Sequence, residues 1–481
     1  MFSSLRFLWR CWQLRQAVSF SPERIAELQA QHLRSLVQFA AERSAFFQAR
    51  YRGLDLERLR LTDLPPTHKP ELMEHFDQAV TDPDVRRAHL ERFIENPDNR
   101  TRLFQGKYIV SHTSGSQGQP LLLIQEQAAI DLLFALQFTR GSAFSRISPW
   151  EGIRRWREPA RLAVVGMKPG FYPSSAAYGH FPAAARRFVQ LESFAATDAQ
   201  LMKQLSDYRP HVVIAYASIL DKLALRAAEF PFAPTLRQVV NCSETLTVAA
   251  RQRIQRAFQV PVLDSYATGE CLFLSQGCPA SRGAHVNADW AILEVVDENY
   301  RPVPPGELGK KVLLTNLFNR VQPIIRYEIG DMVAMSAAPC ACGSRLPKIA
   351  HIEGRTAEQL WVGHPGKYHE ITAMIFKNAA DFLRDVRDWQ AVQEERNRLQ
   401  VRLVPLPGAS VNLPRAGRKF TSTLRHLGLP PYVQVDYTLV PDLEPDPRTH
   451  KLRHLVTGLG KPPEVEPAPV RRPAAGVTSA S

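Results

Sequence analysis

A short loop of small and polar residues is the stretch of this sequence whose composition most directly suggests chemistry. It reads Ser-His-Thr-Ser-Gly-Ser-Gln-Gly-Gln-Pro at 111–120 and lies between the apolar segments 107–110 and 121–124, which are typical of strands. Glycines let a backbone approach an anion, hydroxyl groups donate hydrogen bonds, and successive N–H groups form anion-binding concavities. The Walker A spacing is absent, because no Gly-Lys-Ser/Thr follows. Taken alone, the loop fits an ordinary polar hairpin better than a phosphate site.

Three further polar clusters follow apolar segments. They are Asn-Cys-Ser-Glu-Thr-Leu at 241–246, Asp-Ser-Tyr-Ala-Thr-Gly-Glu at 264–270 and Arg-Tyr-Glu-Ile-Gly-Asp at 326–331. An ionised carboxylate in such a cluster can accept hydrogen bonds from hydroxyl groups or hold a hard cation such as Mg²⁺. A solvated connection between elements explains each cluster, taken singly, at least as well.

The cysteines form a separate pattern. Cys278 and His285 are separated by six residues, and Cys340 and Cys342 bracket Ala341. Three thiolates and one imidazole suit tetrahedral zinc, and a closed set of four protein ligands indicates a structural site. The alternative is that the two pairs are unrelated. With no secretory signal in the sequence, a reducing, cytoplasmic location is expected, so metal binding or packing comes before disulfides.

Apolar strand patterns alternate with helical patterns in the middle of the chain. The strand patterns lie at 161–166, 211–216, 236–241 and 260–263, and the helical patterns at 128–138, 199–208 and 219–229. This alternation predicts an α/β fold with a mainly parallel sheet covered by helices on both faces. Ligands of such sheets bind at the carboxyl ends of the strands, where the clusters at 241, 264 and 326 are expected to lie, the last after the apolar segment 323–325.

The two ends of the chain differ from its middle. Residues 2–20 contain Trp9 and Trp12 but are interrupted by arginines, which favours an amphipathic helix over a signal peptide. Docking of this helix against its own domain is favoured over peripheral contact with a membrane. Residues 21–51 read as one long helix or two short ones. From 356 onward a smaller α+β pattern follows, with strands at 361–362, 399–404 and 432–435 and helices at 371–382 and 420–427. The Pro/Ala-rich stretch 461–481 is expected to be disordered.

Composition limits the partners. The chain has 481 residues, a formal net charge of +13 and a pI near 9.6. The basic residues are spread along the sequence without a cluster typical of nucleic-acid binding, so a specific nucleic-acid partner is not expected. ATP, coenzyme A or a solvated arginine-rich surface would each explain the charge. No run of about twenty apolar residues occurs, which argues against a membrane-spanning segment.

The order of the motifs resembles the adenylate-forming enzyme superfamily. After the loop at 111–120 come Ser-Glu-Thr at 243–245, Tyr-Ala-Thr-Gly-Glu at 266–270, the cluster at 326–331, Ile-Glu-Gly-Arg at 352–355 and Thr-His-Lys-Leu-Arg at 449–453. Within the superfamily the chain is similar to the phenylacetate-CoA ligase branch and to the related enzymes that adenylylate a deazaflavin coenzyme. The resemblance covers residues 20–456. It implies an adenylate-forming domain at 21–354 and a small mobile lid at 355–460, between the amphipathic segment at 1–20 and the tail at 461–481.

The resemblance also implies a reaction and its residues. The expected activity is ATP-dependent adenylation of an aryl or acyl carboxylic acid, followed by transfer to coenzyme A. Glu270 would hold Mg²⁺, Asp331 would bind the ribose and Tyr266 would stack on adenine, while Lys451 would approach the acyl-phosphate oxygens. The remaining nucleotide-binding positions are Thr113, Ser114, Gly115, Ser116, Gln117, Gly118, Gln119, Ser243, Glu244, Thr268 and Arg355. Related ligases carry a similar Cys, His and Cys-x-Cys set, which supports zinc at Cys278, His285, Cys340 and Cys342.

Two positions depart from the family pattern. Gln119 stands where the phosphate cradle has a lysine, and Thr-Ala-Glu at 356–358 replaces the aspartates of the hinge. The alternatives are therefore an adenylyltransferase that uses no coenzyme A, and a nucleotide-binding homologue with weakened or lost activity. Oligomeric state and the acid stay open. An acid pocket is expected among the residues Phe144, Met167, Phe171, Tyr172, Tyr178 and Tyr216.

Overall fold

The computed structural model describes residues 2–113, 120–140, 158–166, 170–196, 198–227, 233–278, 280–355, 359–365, 367–371, 373–380, 382–383, 385–446, 452–460 and 462. They fall into two compact units. The first comprises Met1–Ala357 with Glu444–Leu452, and the second comprises Glu358–Leu443 with Arg453–Ser481. Each unit has its own hydrophobic core.

Helices dominate the start of the first unit. They are α1 (Phe2–Ala17), α2 (Pro22–Arg43), α3 (Ala45–Arg50), α4 (Lys69–Glu74), α5 (Phe76–Ala79), α6 (Arg87–Glu95) and α7 (Gln127–Thr139), with short 3-10 turns at Leu61–Asp63 and Pro97–Thr101. The pattern at 21–51 forms two helices because Ser44 is extended and ends α2. The Ser44 hydroxyl also caps α3, where it accepts a hydrogen bond from the Phe47 N–H.

The hairpin β1 (Tyr108–His112) and β2 (Leu122–Glu126) precedes α7 in the chain. A five-stranded sheet with the order β4-β3-β5-β6-β7 follows, and every neighbouring pair in it is parallel. Its strands are β3 (Ala160–Gly166), β4 (Val189–Ala195), β5 (Val212–Ala215), β6 (Gln238–Cys242) and β7 (Val262–Ser265). The helices Pro173–Gly179, Leu201–Tyr208, Ala217–Leu225 and Val248–Phe258 alternate with these strands, and a 3-10 turn lies at Ala233–Thr235. The predicted α/β fold with a parallel sheet is confirmed.

The remaining strands of the first unit are antiparallel. One sheet joins β10 (Ala291–Val296), β11 (Lys311–Asn316) and β12 (Ile324–Ile329). The other has the order β13-β14-β9-β8 and joins β8 (Ser275–Gly277), β9 (Ala284–Val286), β13 (Asp331–Met335) and β14 (Lys348–Arg355).

The expectation that the cluster at 326–331 follows the end of a strand in the parallel sheet is wrong. β12 continues to Ile329, so Arg326 and Glu328 lie within an antiparallel strand and not in a loop. The reason is a buried ion pair: Arg326 donates two hydrogen bonds of 3.0 Å to the Glu294 carboxylate and also bonds the Leu64 carbonyl. Paired in this way, charged side chains can occupy the interior of a sheet.

The second unit is an α+β fold. The hairpin β15 (Leu360–His364) and β16 (Lys367–Ile371) accompanies a four-stranded sheet with the order β19-β18-β17-β20. That sheet contains β17 (Val386–Glu395), β18 (Arg398–Pro405), β19 (Gln434–Leu439) and β20 (Leu455–Thr457), and the helices are Ala373–Ala380 and Leu413–His426. Phe376, Trp389 and Phe420 are buried in its core. Strand β17, which carries Trp389, was not predicted.

Helix α1 packs against its own unit. Phe7, Leu14 and Ala17 are buried, and the Phe7 ring lies edge-on to Phe138 of α7 with ring centroids 6.3 Å apart. Docking on its own domain is thereby confirmed, while Trp9 and Trp12 on the outer face are 61% and 59% exposed. Among the helices described, none combines the length and the apolar character that crossing a membrane requires.

A buried arginine joins α1, α7 and the segment before β10. Arg140 donates to both carboxylate oxygens of Asp289 over 2.8 and 2.7 Å, to Asn287 Oδ1 over 2.9 Å and to the carbonyl of Leu14 over 3.2 Å. Both charged side chains are almost fully inaccessible. Each therefore depends on the other for compensation of its charge.

Replacing Arg140 by alanine should destabilise the first unit strongly, because Asp289 and Asn287 would stay buried after losing these hydrogen bonds. We expect a loss of about 3–5 kcal/mol in the free energy of unfolding, measured by urea titration. The matched control is Arg24→Ala, which removes the exposed Arg24–Glu27 pair and should cost at most about 1 kcal/mol. Similar losses for the two variants would contradict the structural role of Arg140.

Candidate functional site

A cavity of about 900 Å³ opens at the carboxyl ends of the parallel strands in the first unit. Its size lies within the range of about 300–1,000 Å³ that is usual for small-molecule sites. Five of the predicted site residues line it: Thr113, Ser243, Thr268, Glu270 and Asp331. These residues come from four separate motifs of the sequence. The fold thus brings the motifs together, as the rule for parallel sheets predicts.

The ends of β6 and β7 are fixed by an amide side chain. Asn241 is fully buried, and its Nδ2 group donates to the carbonyl of Glu244 and to Asp264 Oδ1, both over 2.7 Å. Ser243 takes up a left-handed conformation with φ of 65°. The chain therefore turns sharply after β6, and Ser243 lies on the cavity wall. Asn241 was not among the predicted site residues, although an amide at a strand end is a detectable signal.

Asp331 is connected to Tyr266. The Tyr266 hydroxyl donates to Asp331 Oδ2 over 2.7 Å, and both residues are buried. The Tyr266 backbone is held in turn by Ser275, whose Oγ donates to the Tyr266 carbonyl over 2.6 Å and accepts from its N–H. The described cavity wall includes Ala267 and Thr268 but not the ring of Tyr266. In this structure Tyr266 thus contributes to the site through Asp331.

Gly269 permits a close approach between two motifs. A methyl group added at this position would lie 3.0 Å from the Leu123 side chain, 3.1 Å from Pro173 and 3.2 Å from Thr113. Any larger residue would push the 266–270 motif away from the hairpin that carries Thr113. The next residue, Glu270, lines the cavity, and its carbonyl accepts a hydrogen bond of 2.8 Å from Asn316.

Thr113 closes the base of the small-residue loop. Its N–H donates to the Leu121 carbonyl and its Oγ1 accepts from the Leu121 N–H, both over 2.9 Å. The flanking antiparallel strands β1 and β2 confirm the expected strand–loop–strand arrangement. Ser114, Gly115, Ser116, Gln117, Gly118 and Gln119 lie outside the described residues.

Glu244 connects two segments beside the cavity. Its carboxylate accepts hydrogen bonds from the N–H of Ser218 over 3.0 Å and from the N–H of Leu452 over 3.1 Å. The residue that follows Lys451 in sequence is thus held next to the turn of Ser243. Lys451 itself lies outside the described residues. Arg355 is the last residue of β14, and its backbone is in register with Asp331.

The expected acid pocket is partly represented in the cavity wall. Tyr172, Tyr178 and Tyr216 line it, whereas Phe171 is buried and packs against Phe93 with ring centroids 6.3 Å apart. Burial raises the pKa of the Tyr178 and Tyr216 hydroxyls, so both stay protonated. Phe144 and Met167 lie outside the described residues.

Basic side chains on the wall were missed as site residues. Lys69, at the start of α4, and Arg100 both line the cavity. Neither belongs to a phosphate-binding motif, so little in the sequence marks them as site residues. Their positive charge suits an anionic ligand.

The predicted metal ligands lie together. One ligand atom from each of Cys278, His285, Cys340 and Cys342 lies within 4.8 Å of all the others. The His285 ring is oriented by its second nitrogen, because Nδ1 lies 3.0 Å from the Leu346 carbonyl and Nε2 lies 3.3 Å from Cys342 Sγ. Such a carbonyl partner fixes the ring with Nε2 turned toward a metal. This donor set therefore fits zinc, with the ligand chemistry of a structural site.

The Cys340 thiol is poised to ionise. Burial opposes its ionisation, but hydrogen bonds from the Cys342 N–H and the Ser281 hydroxyl outweigh burial and lower the pKa of Cys340 to about 6. Ser281 also accepts a hydrogen bond of 2.8 Å from Lys348. Neither Ser281 nor Lys348 was recognised from the sequence.

The chain is similar to known proteins in sequence and in fold. It is 26% identical over 364 residues to a phenylacetate-coenzyme A ligase of Thermus thermophilus. The aligned region covers 70% of this chain and 72% of the relative. It is 25% identical over 210 residues to the protein CapK of Staphylococcus aureus, covering 42% of this chain and 44% of the relative. No family model matches the chain.

Solved structures extend the similarity of fold over most of the chain. A 2-hydroxyisobutyryl-CoA ligase in the postadenylation state, in complex with 2-HIB-AMP, superimposes with a TM-score of 0.67 at 18% identity. The match covers 91% of this chain and 90% of that ligase. The resemblance to the phenylacetate-CoA ligase branch of the adenylate-forming superfamily, predicted from the order of the motifs, is thereby confirmed.

Proposed function

We propose that the protein joins a carboxylic acid to the α-phosphate of ATP and then passes the acyl group to coenzyme A. The observation that carries this proposal is the single cavity in which Thr113, Ser243, Thr268, Glu270 and Asp331 meet. The similarity to a phenylacetate-coenzyme A ligase supports it, as does the shared fold with a ligase that holds an acyl-AMP.

The proposed first step is a displacement at phosphorus. An oxygen of the acid attacks the α-phosphorus of ATP, a new P–O bond forms, and the bond to the bridging oxygen of the β-phosphate breaks to release pyrophosphate. Asp331 would accept hydrogen bonds from the ribose hydroxyls. Glu270 would hold Mg²⁺, which would neutralise phosphate charge. Lys451 would stabilise the negative charge that develops on the transferring oxygens.

Thr268 offers a further contact for the nucleotide. Its hydroxyl is buried and has no hydrogen-bond partner among the described residues, although Thr268 lines the cavity. A buried hydroxyl without a partner is costly, so a ligand that bonds it gains affinity. A phosphate oxygen or a water bound with the ligand would satisfy this group.

In the second step the thiolate of coenzyme A attacks the acyl carbon and AMP leaves with the bridging oxygen. If the protein is instead an adenylyltransferase, the AMP adduct is the final product. Adding coenzyme A to a reaction with radiolabelled acid separates the two outcomes. We expect a labelled thioester to accumulate; an AMP adduct that persists in the presence of coenzyme A would favour the adenylyltransferase.

Exchange of radiolabel between pyrophosphate and ATP measures the first step. We expect the wild-type exchange to depend on a carboxylic acid. The exchange rate should fall at least about a hundredfold in Lys451→Ala and in Glu270→Gln, because each variant removes a charge acting on the phosphates. Lys203→Ala, which changes a lysine that is 70% exposed, is the control and should exchange at the wild-type rate. Absence of exchange in the wild type with every acid would point to a nucleotide-binding homologue without activity.

The expected phosphate-binding loop at 111–120 lacks the lysine that the family pattern has at position 119. We propose that Lys69, a cation on the cavity wall, supplies the missing charge. Lys69→Ala should then raise the KM for ATP about tenfold, and adding Gln119→Lys to that variant should recover part of the loss. An unchanged KM in Lys69→Ala would show that the phosphates do not rely on Lys69.

We further propose that Cys278, His285, Cys340 and Cys342 hold a structural zinc ion. Protein purified without chelator should contain about one zinc per chain by elemental analysis, and Cys340→Ser should contain much less and melt at a lower temperature. Cys11→Ser, outside the cluster, should retain the zinc. Wild-type protein that contains no zinc would refute the site.

A further inference from the structure

We propose that the acid is elongated and carries an unbranched apolar tail of the medium-chain fatty acid class. This inference rests on the proposed adenylation and names its substrate. It comes from the part of the cavity that extends away from the nucleotide-binding motifs, along one face of the parallel sheet.

The face is built from rows of side chains. Leu162, Val212 and Gln238 are aligned across β3, β5 and β6, and all three line the cavity. A second aligned row, Val164, Ile214 and Val240, also lines it. Because side chains alternate along a strand, residues two apart share a face, so the two rows belong to one continuous wall.

The opposite face of the same strands is a packed core. Ala163, Val165, Val213 and Val239 are buried there among the helices Leu201–Tyr208, Ala217–Leu225 and Val248–Phe258. Ala163, Val213 and Val239 do not line the cavity, whereas Val165, near the carboxyl end of β3, does. Along the body of the strands the cavity therefore lies on the face of the two rows. Leu133, Gln137 and Phe138 of α7 line it as well, together with Tyr178.

The cavity follows the strands over nearly their whole length. In β6 it is lined from Cys242 at the carboxyl end to Gln238 at the first residue of the strand. Four residue steps correspond to about 13 Å. That depth exceeds the length of a single aromatic ring, so a benzoyl or phenylacetyl group would leave the deepest row without contacts.

The chemistry of the wall selects an uncharged tail. Five of the six side chains in the two rows are aliphatic, and the sixth is the amide of Gln238 in the deepest row. An alkyl chain would gain affinity from each methylene group that leaves water for this wall. The carboxylate would stay at the strand ends, beside Ser243, Thr268 and Glu270.

A comparison of acids tests the proposal. We expect pyrophosphate exchange to have a higher kcat/KM with dodecanoate than with butanoate or benzoate. We call the part of the cavity between the two rows and α7 the tail channel. In Val240→Phe, a ring in the middle of the tail channel should lower kcat/KM for dodecanoate at least about tenfold, while kcat/KM for benzoate changes little. Lys203→Ala, at an exposed lysine that does not line the cavity, is the control and should behave like the wild type. If Val240→Phe does not fold, Val164→Phe fills the same row from β3 and serves instead.

The outcomes separate this inference from the proposed function. If benzoate is the better substrate, or if Val240→Phe lowers both acids equally, the inference is refuted while adenylation stands. If no acid supports exchange, the proposed function fails, and binding of dodecanoate measured by calorimetry still decides the inference. If the wild type binds dodecanoate and Val240→Phe does not, the tail channel is supported. If the wild type does not bind dodecanoate, the inference is refuted.

Discussion

The buried side chain of Asn241 is the connection on which the site depends. By donating to the Glu244 carbonyl and to Asp264, it joins the turn after β6 to the strand β7. Burial raises the pKa of Asp264, although the hydrogen bond from Asn241 and the nearby Arg251 oppose that rise. One amide thus links the turn of Ser243 to the strand that leads into the 266–270 motif, and both line the cavity at the edge of a parallel sheet where ligands bind.

Contacts to the antiparallel sheets complete the site. The Tyr266 hydroxyl reaches across to Asp331 at the start of β13, and Asn316 at the end of β11 holds the carbonyl of Glu270. Residues more than 60 positions apart in sequence therefore share one hydrogen-bond network. The Tyr266 hydroxyl fixes the Asp331 carboxylate before a ligand arrives, which lowers the cost of ordering that side chain on binding.

Much of this arrangement follows from the sequence, and the exceptions have physical causes. The strands β3, β5, β6 and β7 are short apolar runs, so their pattern predicted both their position and their parallel pairing. Arg326 misled the prediction because a charged residue reads as a loop until its partner Glu294, 32 positions away, is known. Strand β17 was missed because charged residues outnumber apolar ones at its ends. It is stabilised by pairing with β18 and β20, which depends on the tertiary structure and cannot be seen in the local sequence. Lys69 gave little signal, since one lysine has no spacing to recognise, whereas the position of Asn241 at a strand end could have been noticed.

The central claim is that an oxygen of the acid becomes bonded to the α-phosphorus of ATP. The most direct measurement uses dodecanoate labelled with ¹⁸O in both carboxylate oxygens, together with ATP and coenzyme A, and mass spectrometry of the nucleotide product. If an acyl-adenylate forms and is cleaved by the thiol at the acyl carbon, the released AMP carries one ¹⁸O atom. AMP without the label, or label in inorganic phosphate together with ADP, would contradict adenylation of the acid.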